Sequence, residues 1–509
     1  MSVAPADSGI HWTAWAVFAA FFALVTVLGF LAARWKQADL NHLHEWGLGG
    51  RRFGTVITWF LLGGDLYTAY TVIAVPALVY ATGAYGFFAM PYTIVAFPIF
   101  FVLMPRLWNV CRRHDCITVA DFAQVRYGSR WLALAVALTG VLATMPYIAL
   151  QLVGMQVVFE TMGFGGVTHG AEIALLVAFV VLALYTYTSG LRAPAMIAFV
   201  KDAMIYVFVI AAVIVIPIQL GGYGAIFTAA EQAFAQRGGT AGIVLQPAKA
   251  MAFASLALGS AMALMLYPHA ATGVLAADGP RTIRRNAMLL PAYSVMLGLI
   301  ALLGYMAIAA HVPAKGTAIV PALVLQSFPE WFAGFCFAAI ALGALVPAAI
   351  MSIGAANLVT RNIWRPFVDA AMGAQRESAI AKVTSLVVKF GALAFVVFLP
   401  LEYAINLQLL GGIWILQIFP AVAFGLYTRW FRAQALLVGW AVGMLLGTML
   451  SWMQGMKPIY PLPGIGGVYI GLIALLANVG VAALWTALAN ARGIVPAADP
   501  TAEGDYADA

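Results

Sequence analysis

The chain of 509 residues is 64% hydrophobic and 9% charged, with a mean hydropathy of +0.96 and a formal net charge of +7. A soluble globular domain carries about 25% charged residues, so the composition excludes water as the main solvent and argues against a soluble enzyme. Cys111, Cys116 and Cys336 are too few for a disulfide framework, and the Cys111/Cys116 pair sits in a basic loop without further ligands, so all three read as bystanders.

In lipid every backbone polar group must be satisfied within its own segment, and an apolar run of roughly 20 residues crosses a ~30 Å hydrocarbon core as a helix. The first run, 12–33, follows a stretch whose only charge is Asp7 and is longer than a signal-peptide core, so it reads as a retained span. Hydropathy gives thirteen spans: 12–34, 55–80, 85–105, 131–159, 172–189, 196–219, 251–275, 287–310, 332–356, 383–401, 405–427, 434–453 and 464–488. With the N-terminus outside, the loops after odd-numbered spans hold 21 Lys and Arg, from Arg34, Lys36, Arg51 and Arg52 through Arg192 and Lys201 to Arg492. The other side holds Arg237, Lys249, Lys315 and Lys457. By the positive-inside rule the chain is predicted N-outside and C-inside in a bacterial inner membrane, and its basic balance is a topology signal rather than a nucleic-acid footprint. Residues 1–490 are expected to form one transmembrane domain and 491–509 a disordered acidic cytoplasmic tail.

Asp65 is the acid nearest the middle of an apolar run, directly after Gly63-Gly64. A carboxylate at that depth is costly unless it faces a polar cavity or a partner. Two glycines are weak helix formers, so span 2 is expected to unwind there and expose carbonyls and amides. A protonated Asp65 bonded between helices is the structural alternative. His269 is the histidine that falls inside a span, behind Pro268, which removes a backbone donor and should open span 7. A lone buried histidine is ordinarily structural, but its position corresponds to that of Asp65. Spans 2 and 7 run in opposite directions and each opens a block of five, 2–6 and 7–11, which points to a 5+5 inverted repeat with its site at the midplane. Tyr147 and Gln151 in span 4, Ser255 and Ser260 in span 7, Ser352 in span 9, and Trp414 and Gln417 in span 11 are further polar candidates. Each also has an ordinary explanation as an interhelical hydrogen-bonding group. Lys389, about seven residues from the cytoplasmic end of span 10, is expected to snorkel to it.

At these residues the chain resembles the sodium/solute symporter family. The marks are Leu48-Gly49-Gly50-Arg51 entering span 2, the Gly64-Asp65 break, Ser189-Gly190-Leu191-Arg192-Ala193 leading to Asp202, and Pro268-His269 followed by Arg284-Arg285. Met351-Ser352 through Asn357-Leu358 to Thr360-Arg361-Asn362 closes span 9 in the family's manner. Within the family, segments 46–50, 60–70 and 410–417 look most like bacterial lactate, pyruvate and alanine permeases. The resemblance implies an all-α, leucine-transporter-type fold over nearly the whole chain. It also implies a sodium site built from Gly63 and Leu66 carbonyls with Ala349 and Ser352. Ile353 stands where the family has a second span 9 hydroxyl, which removes an oxygen from a cage for a hard cation, and Tyr267 stands where the family has Gln.

The expected function is import of a short monocarboxylate by alternating access, coupled to a proton or sodium gradient, with no cofactor and with a monomer sufficient in its lipid. Substrate is assigned to Gly63, Gly64, Asp65, Tyr67, Thr68, Tyr147, Gln151, Tyr267, His269, Trp414 and Gln417, and the coupling ion to Gly63, Asp65, Leu66, Ala349 and Ser352. A half-helix N-terminus beyond Gly63-Gly64 is expected to present free amides to the carboxylate. Asp65 either carries a proton or supports sodium, with the proton favoured. The alternatives are a symporter of another small solute such as proline or pantothenate, and a transporter-like sensor, which would need a signalling domain. A channel would need a filter or charged ring, and an enzyme a nucleophile or metal cluster beside Asp65 and His269.

Overall fold

Apolar sequence in lipid leaves helix as the economical way to pair every amide and carbonyl, and the chain is helical almost throughout. The computed structural model describes residues 9–35, 39–68, 70–398, 401–495 and 497–507; Asp7 and the loop cation Lys36 lie outside them. Among the described residues, 12 helices are long and apolar enough to cross a membrane, from Trp12–Arg34 to Ile470–Ala491. Span 2 makes the thirteenth crossing in two shorter helices, Thr55–Gly64 and Thr71–Thr82. This is a multi-pass membrane protein.

Both predicted breaks are present. The first half of span 2 stops at Gly64, and residues 65–68 are unwound. Span 7 splits into Ala250–Leu264 and Pro268–Leu275, with Tyr267 extended between them. Pro268 takes the first position of its half-helix, where a missing N–H leaves nothing unpaired.

Span 9, Glu330–Leu358, is the central helix and is buried from Cys336 to Leu358. Span 1 lies directly on it: a methyl added to Gly334 would stand 2.3 Å from the Ala14 carbonyl oxygen. Span 8, Pro291–Ala309, touches the second half of span 2 in the same way, with Gly304 against the Pro76 carbonyl at 2.4 Å. Such backbone approaches suit helices without a hydrophobic driving force between them. Between spans 12 and 13 the chain forms an antiparallel hairpin, β1 (Ile459–Leu462) and β2 (Gly466–Tyr469), which the hydropathy reading missed.

Three expectations need correction. Lys201, counted as a loop cation although the predicted span 6 covers it, lies within the helix Arg192–Gln219 and is fully buried. Lys389 does not snorkel: it is fully buried, because Ser385 one turn earlier accepts from its Nζ at 2.7 Å. Residues 497–507 are docked rather than disordered. Asp499 receives Arg126 at 2.8 Å, Asp505 receives His114 at 2.8 Å and Arg113 at 3.1 Å, and Tyr506 is buried. The basic loops supply counter-ions for the acidic tail.

Candidate transport site

The two breaks bring their side chains together. His269 Nε2 lies 3.4 Å from Asp65 Oδ2, with the two side chains 3% and 9% exposed. Asp65 Oδ1 and His269 Nδ1 have no hydrogen-bond partner among the described residues. The rings of Tyr267 and Tyr147 pack on the imidazole, with centroids 5.3 and 5.6 Å away. Tyr147 follows Pro146 inside the long span 4, and buried Gln151 donates to the Tyr147 carbonyl at 3.3 Å one turn on. Asp65, Tyr147, Gln151, Tyr267 and His269 thus form one polar cluster in an apolar bundle.

Tyr147, Tyr267 and His269 also line a cavity of about 370 Å³. Its remaining wall is largely aromatic and aliphatic, with Tyr85, Tyr92 and Tyr469 adding hydroxyls and Lys457 a cation. Gly412 keeps it open, since a Cβ there would sit 3.2 Å from the Tyr469 hydroxyl. The hairpin closes one end, and the Tyr469 amide donates to Ser255 Oγ at 3.0 Å. A volume of this order holds a small solute with part of its surface desolvated.

Thr68 shares a side-chain hydrogen bond with Tyr147, while other predicted residues point elsewhere. Tyr67 turns toward spans 6 and 8, its ring against Tyr206 and Tyr293 and its hydroxyl 3.3 Å from the Tyr293 carbonyl. Thr68 and Thr71 cap each other: the Thr68 amide donates to Thr71 Oγ1 at 2.8 Å and the Thr71 amide to Thr68 Oγ1 at 3.3 Å. Two amides expected to face substrate are therefore already paired. Trp414 donates to Thr448 at 2.9 Å, while Gln417 donates to the Gly471 carbonyl at 3.3 Å and accepts from Asn478 at 3.3 Å. Both tie span 11 to spans 12 and 13, because they lie on the helix face opposite Gln408, Leu409 and Gly412, which line the cavity.

Of the residues assigned to the ion, Gly63 is packed against Tyr293 and its carbonyl accepts from the Leu66 amide at 2.9 Å. Ser352 donates to the Ala349 carbonyl at 2.7 Å and lies 3.2 Å from Ser385, the acceptor of Lys389. The pair Lys201-Asp202 was missed. Lys201 donates to the Gly64 carbonyl, reaches the Tyr67 carbonyl at 3.4 Å and pairs with Asp202 Oδ1 at 2.9 Å. Asp202 Oδ2 accepts from the Tyr293 hydroxyl at 2.7 Å. The available signal was two adjacent opposite charges within the apolar run 196–219.

On the face carrying the basic loops, a second polar cluster closes the bundle. Thr118 and Asp121 cap the helix Val119–Tyr127, and Asn362 at the end of span 9 donates to Asp121 at 2.7 Å while accepting from Thr118 at 2.7 Å. Arg361 bridges Asp121 and Glu377 at 3.3 and 3.2 Å.

Comparison with known proteins agrees with this architecture. The chain is 57% identical over 494 residues to a monocarboxylate transport permease protein of Rhizobium johnstonii, covering 96% of this chain and 99% of that one. It is 33% identical to the uncharacterized symporter YodF of Bacillus subtilis, over 91% and 92% of the two chains. A solved structure of a Na+-coupled sialic acid symporter, in a substrate-bound outward-open state, shares the fold with a TM-score of 0.77 at 16% identity, covering 97% of this chain and 100% of that one. Residues 46–447 match the model of the sodium:solute symporter family, and to that family the chain belongs.

Proposed function

We propose that the protein imports short monocarboxylates such as lactate or pyruvate, that the cavity above the two breaks holds the substrate, and that transport is driven by the proton gradient. The observation that carries this is the character of the cavity: apolar and aromatic walls, several hydroxyls, His269 at the break and Lys457 on the wall formed with the hairpin. A small anion with a short apolar tail matches such a site, whereas a polyhydroxylated sugar would leave many hydrogen-bonding groups unpaired. The similarity to the Rhizobium permease supports the same substrate class. With the basic loops cytoplasmic, the cavity lies on the outer side of the breaks, and the cluster around Asp121 and Asn362 seals the inner side. Asp65, with a carboxylate oxygen unpartnered among the described residues, is the group assigned to carry the proton.

Counterflow of labelled lactate in proteoliposomes tests this, with proton and sodium gradients imposed separately and proline, pantothenate and sugars as competitors. Lactate and pyruvate are expected to exchange and to accumulate with the proton gradient. Transport of proline, pantothenate or a sugar without lactate would overturn the substrate assignment.

A further inference from the structure

We propose that Lys201 is a tethered cation held by the carbonyls of the span 2 break, beside the ion position expected there, so that this symporter needs no sodium. The inference rests on the transport role assigned to the breaks and adds the identity of the ion that such a break ordinarily leaves to solution.

Where a membrane helix unwinds, its carbonyls lose their intrahelical amides and become ligands for a small cation. Here the carbonyls of Gly64 and Tyr67 face an ammonium that belongs to the protein. Asp202 supplies its counter-charge at 2.9 Å, and neither side chain has measurable exposure. Tyr293 holds the other Asp202 oxygen at 2.7 Å, so the carboxylate is fixed toward the lysine. The break is shaped for this occupant: a methyl on Gly64 would stand 3.0 Å from Lys201 Nζ and 3.1 Å from both Asp202 oxygens. A second cation brought to neighbouring carbonyls would meet this ammonium in a low-dielectric interior, where like charges repel strongly. The remaining ligands are correspondingly poor. Ile353 carries no oxygen, and the Ser352 hydroxyl oxygen already accepts from Ser385 Oγ at 3.2 Å.

The test uses purified full-length protein and needs no substrate. Binding of radioactive sodium, and melting temperature in sodium against potassium, are measured for wild type, Lys201→Ala and Lys201→Arg. Wild type and Lys201→Arg should bind no sodium saturably and melt alike in both salts. Lys201→Ala, with Asp202 facing vacated carbonyls, should gain sodium binding and a sodium-dependent rise in melting temperature. Its lactate counterflow should fall about tenfold without sodium and recover with it, the scale expected when one strong ionic contact is lost. Saturable sodium binding by wild type, or a monodisperse Lys201→Ala indifferent to sodium, would overturn the proposal. If Lys201→Ala does not fold, the wild-type measurement decides alone. Should lactate prove not to be the substrate, the sodium arms still report on Lys201, so the two failures are distinguishable.

Discussion

Two proline-led steps set the polar cluster: Pro146 precedes Tyr147 and Pro268 precedes His269, so each ring leaves a helix at a point where the backbone ladder is already interrupted. Tyr267→Ala removes ring contacts to both His269 and Tyr147. Two such contacts are each worth about 0.5–1.5 kcal/mol, so KM for lactate should rise about tenfold in initial-rate uptake. Gln417→Ala is the contrasting case. It leaves KM unchanged but strips a partner from Gly471 and Asn478, costing about 1 kcal/mol per lost bond and lowering the thermal midpoint of the purified protein. Asp65→Asn should abolish accumulation driven by a proton gradient while leaving substrate exchange, and Ser352→Ala should cost little. Uptake that requires sodium at fixed pH and collapses in Ser352→Ala would return the coupling to sodium.

Among the elements, span breaks were legible and side-chain directions were not. The Gly63-Gly64 pair and Pro268 act locally, on propensity and hydrogen bonding, so the chain could be read at those points without knowing its neighbours. Trp414 and Gln417 were assigned to the site from polarity alone, but a helix turns about 100° per residue, and only packing decides which face meets the cavity. Lys201 and Lys389 escaped because a cation in an apolar run reads the same whether it reaches water or an internal acceptor. The hairpin escaped because Pro458, Pro461 and Pro463 interrupt any alternating pattern. That hairpin carries its own prediction. Lys457, exposed beside β1, should draw the carboxylate toward the cavity, so Lys457→Gln should raise KM about two- to fivefold at low ionic strength and less as salt screens the charge.

At the scale of the whole molecule, the docked tail links the loop between spans 3 and 4 to the loop between spans 11 and 12. Asp499 pairs with Arg126 and approaches Arg429 at 3.6 Å, while Arg106 lies over the Tyr506 ring at 5.6 Å. The hydrogen bond from His114, with further bonds from the Ala502 amide and Arg113, holds the Asp505 carboxyl down to about 2. A carboxyl depressed on folding stabilises the docked state above its unfolded pKa, near about 4, and loses that contribution as pH falls toward its folded value. Trypsin cleavage after Arg492 should therefore stay slow near neutrality, and a nitroxide label at the exposed Ala507 should gain mobility as pH is lowered from about 4 toward 2. The double variant Asp499→Asn/Asp505→Asn should be cut readily at neutral pH. Reporters at the two termini should place the N-terminus outside and the C-terminus inside; finding both on one face would remove the thirteen-span topology.

The backbone approaches at Gly334 and Gly304 bear on how mutational tolerance should be interpreted. In a saturation screen scored by growth on lactate, any side chain at these positions would drive apart helices whose carbonyls stand 2.3 and 2.4 Å from the added carbon. Both should therefore score as intolerant as Asp65 or His269, although neither touches the cavity. Gly224, Gly373 and Gly480, where an added methyl meets open space, supply the neutral baseline within the same residue type. Selection acting on this protein would preserve helix seams and transport chemistry alike, and a map of fitness separates them only when protein abundance is scored alongside growth.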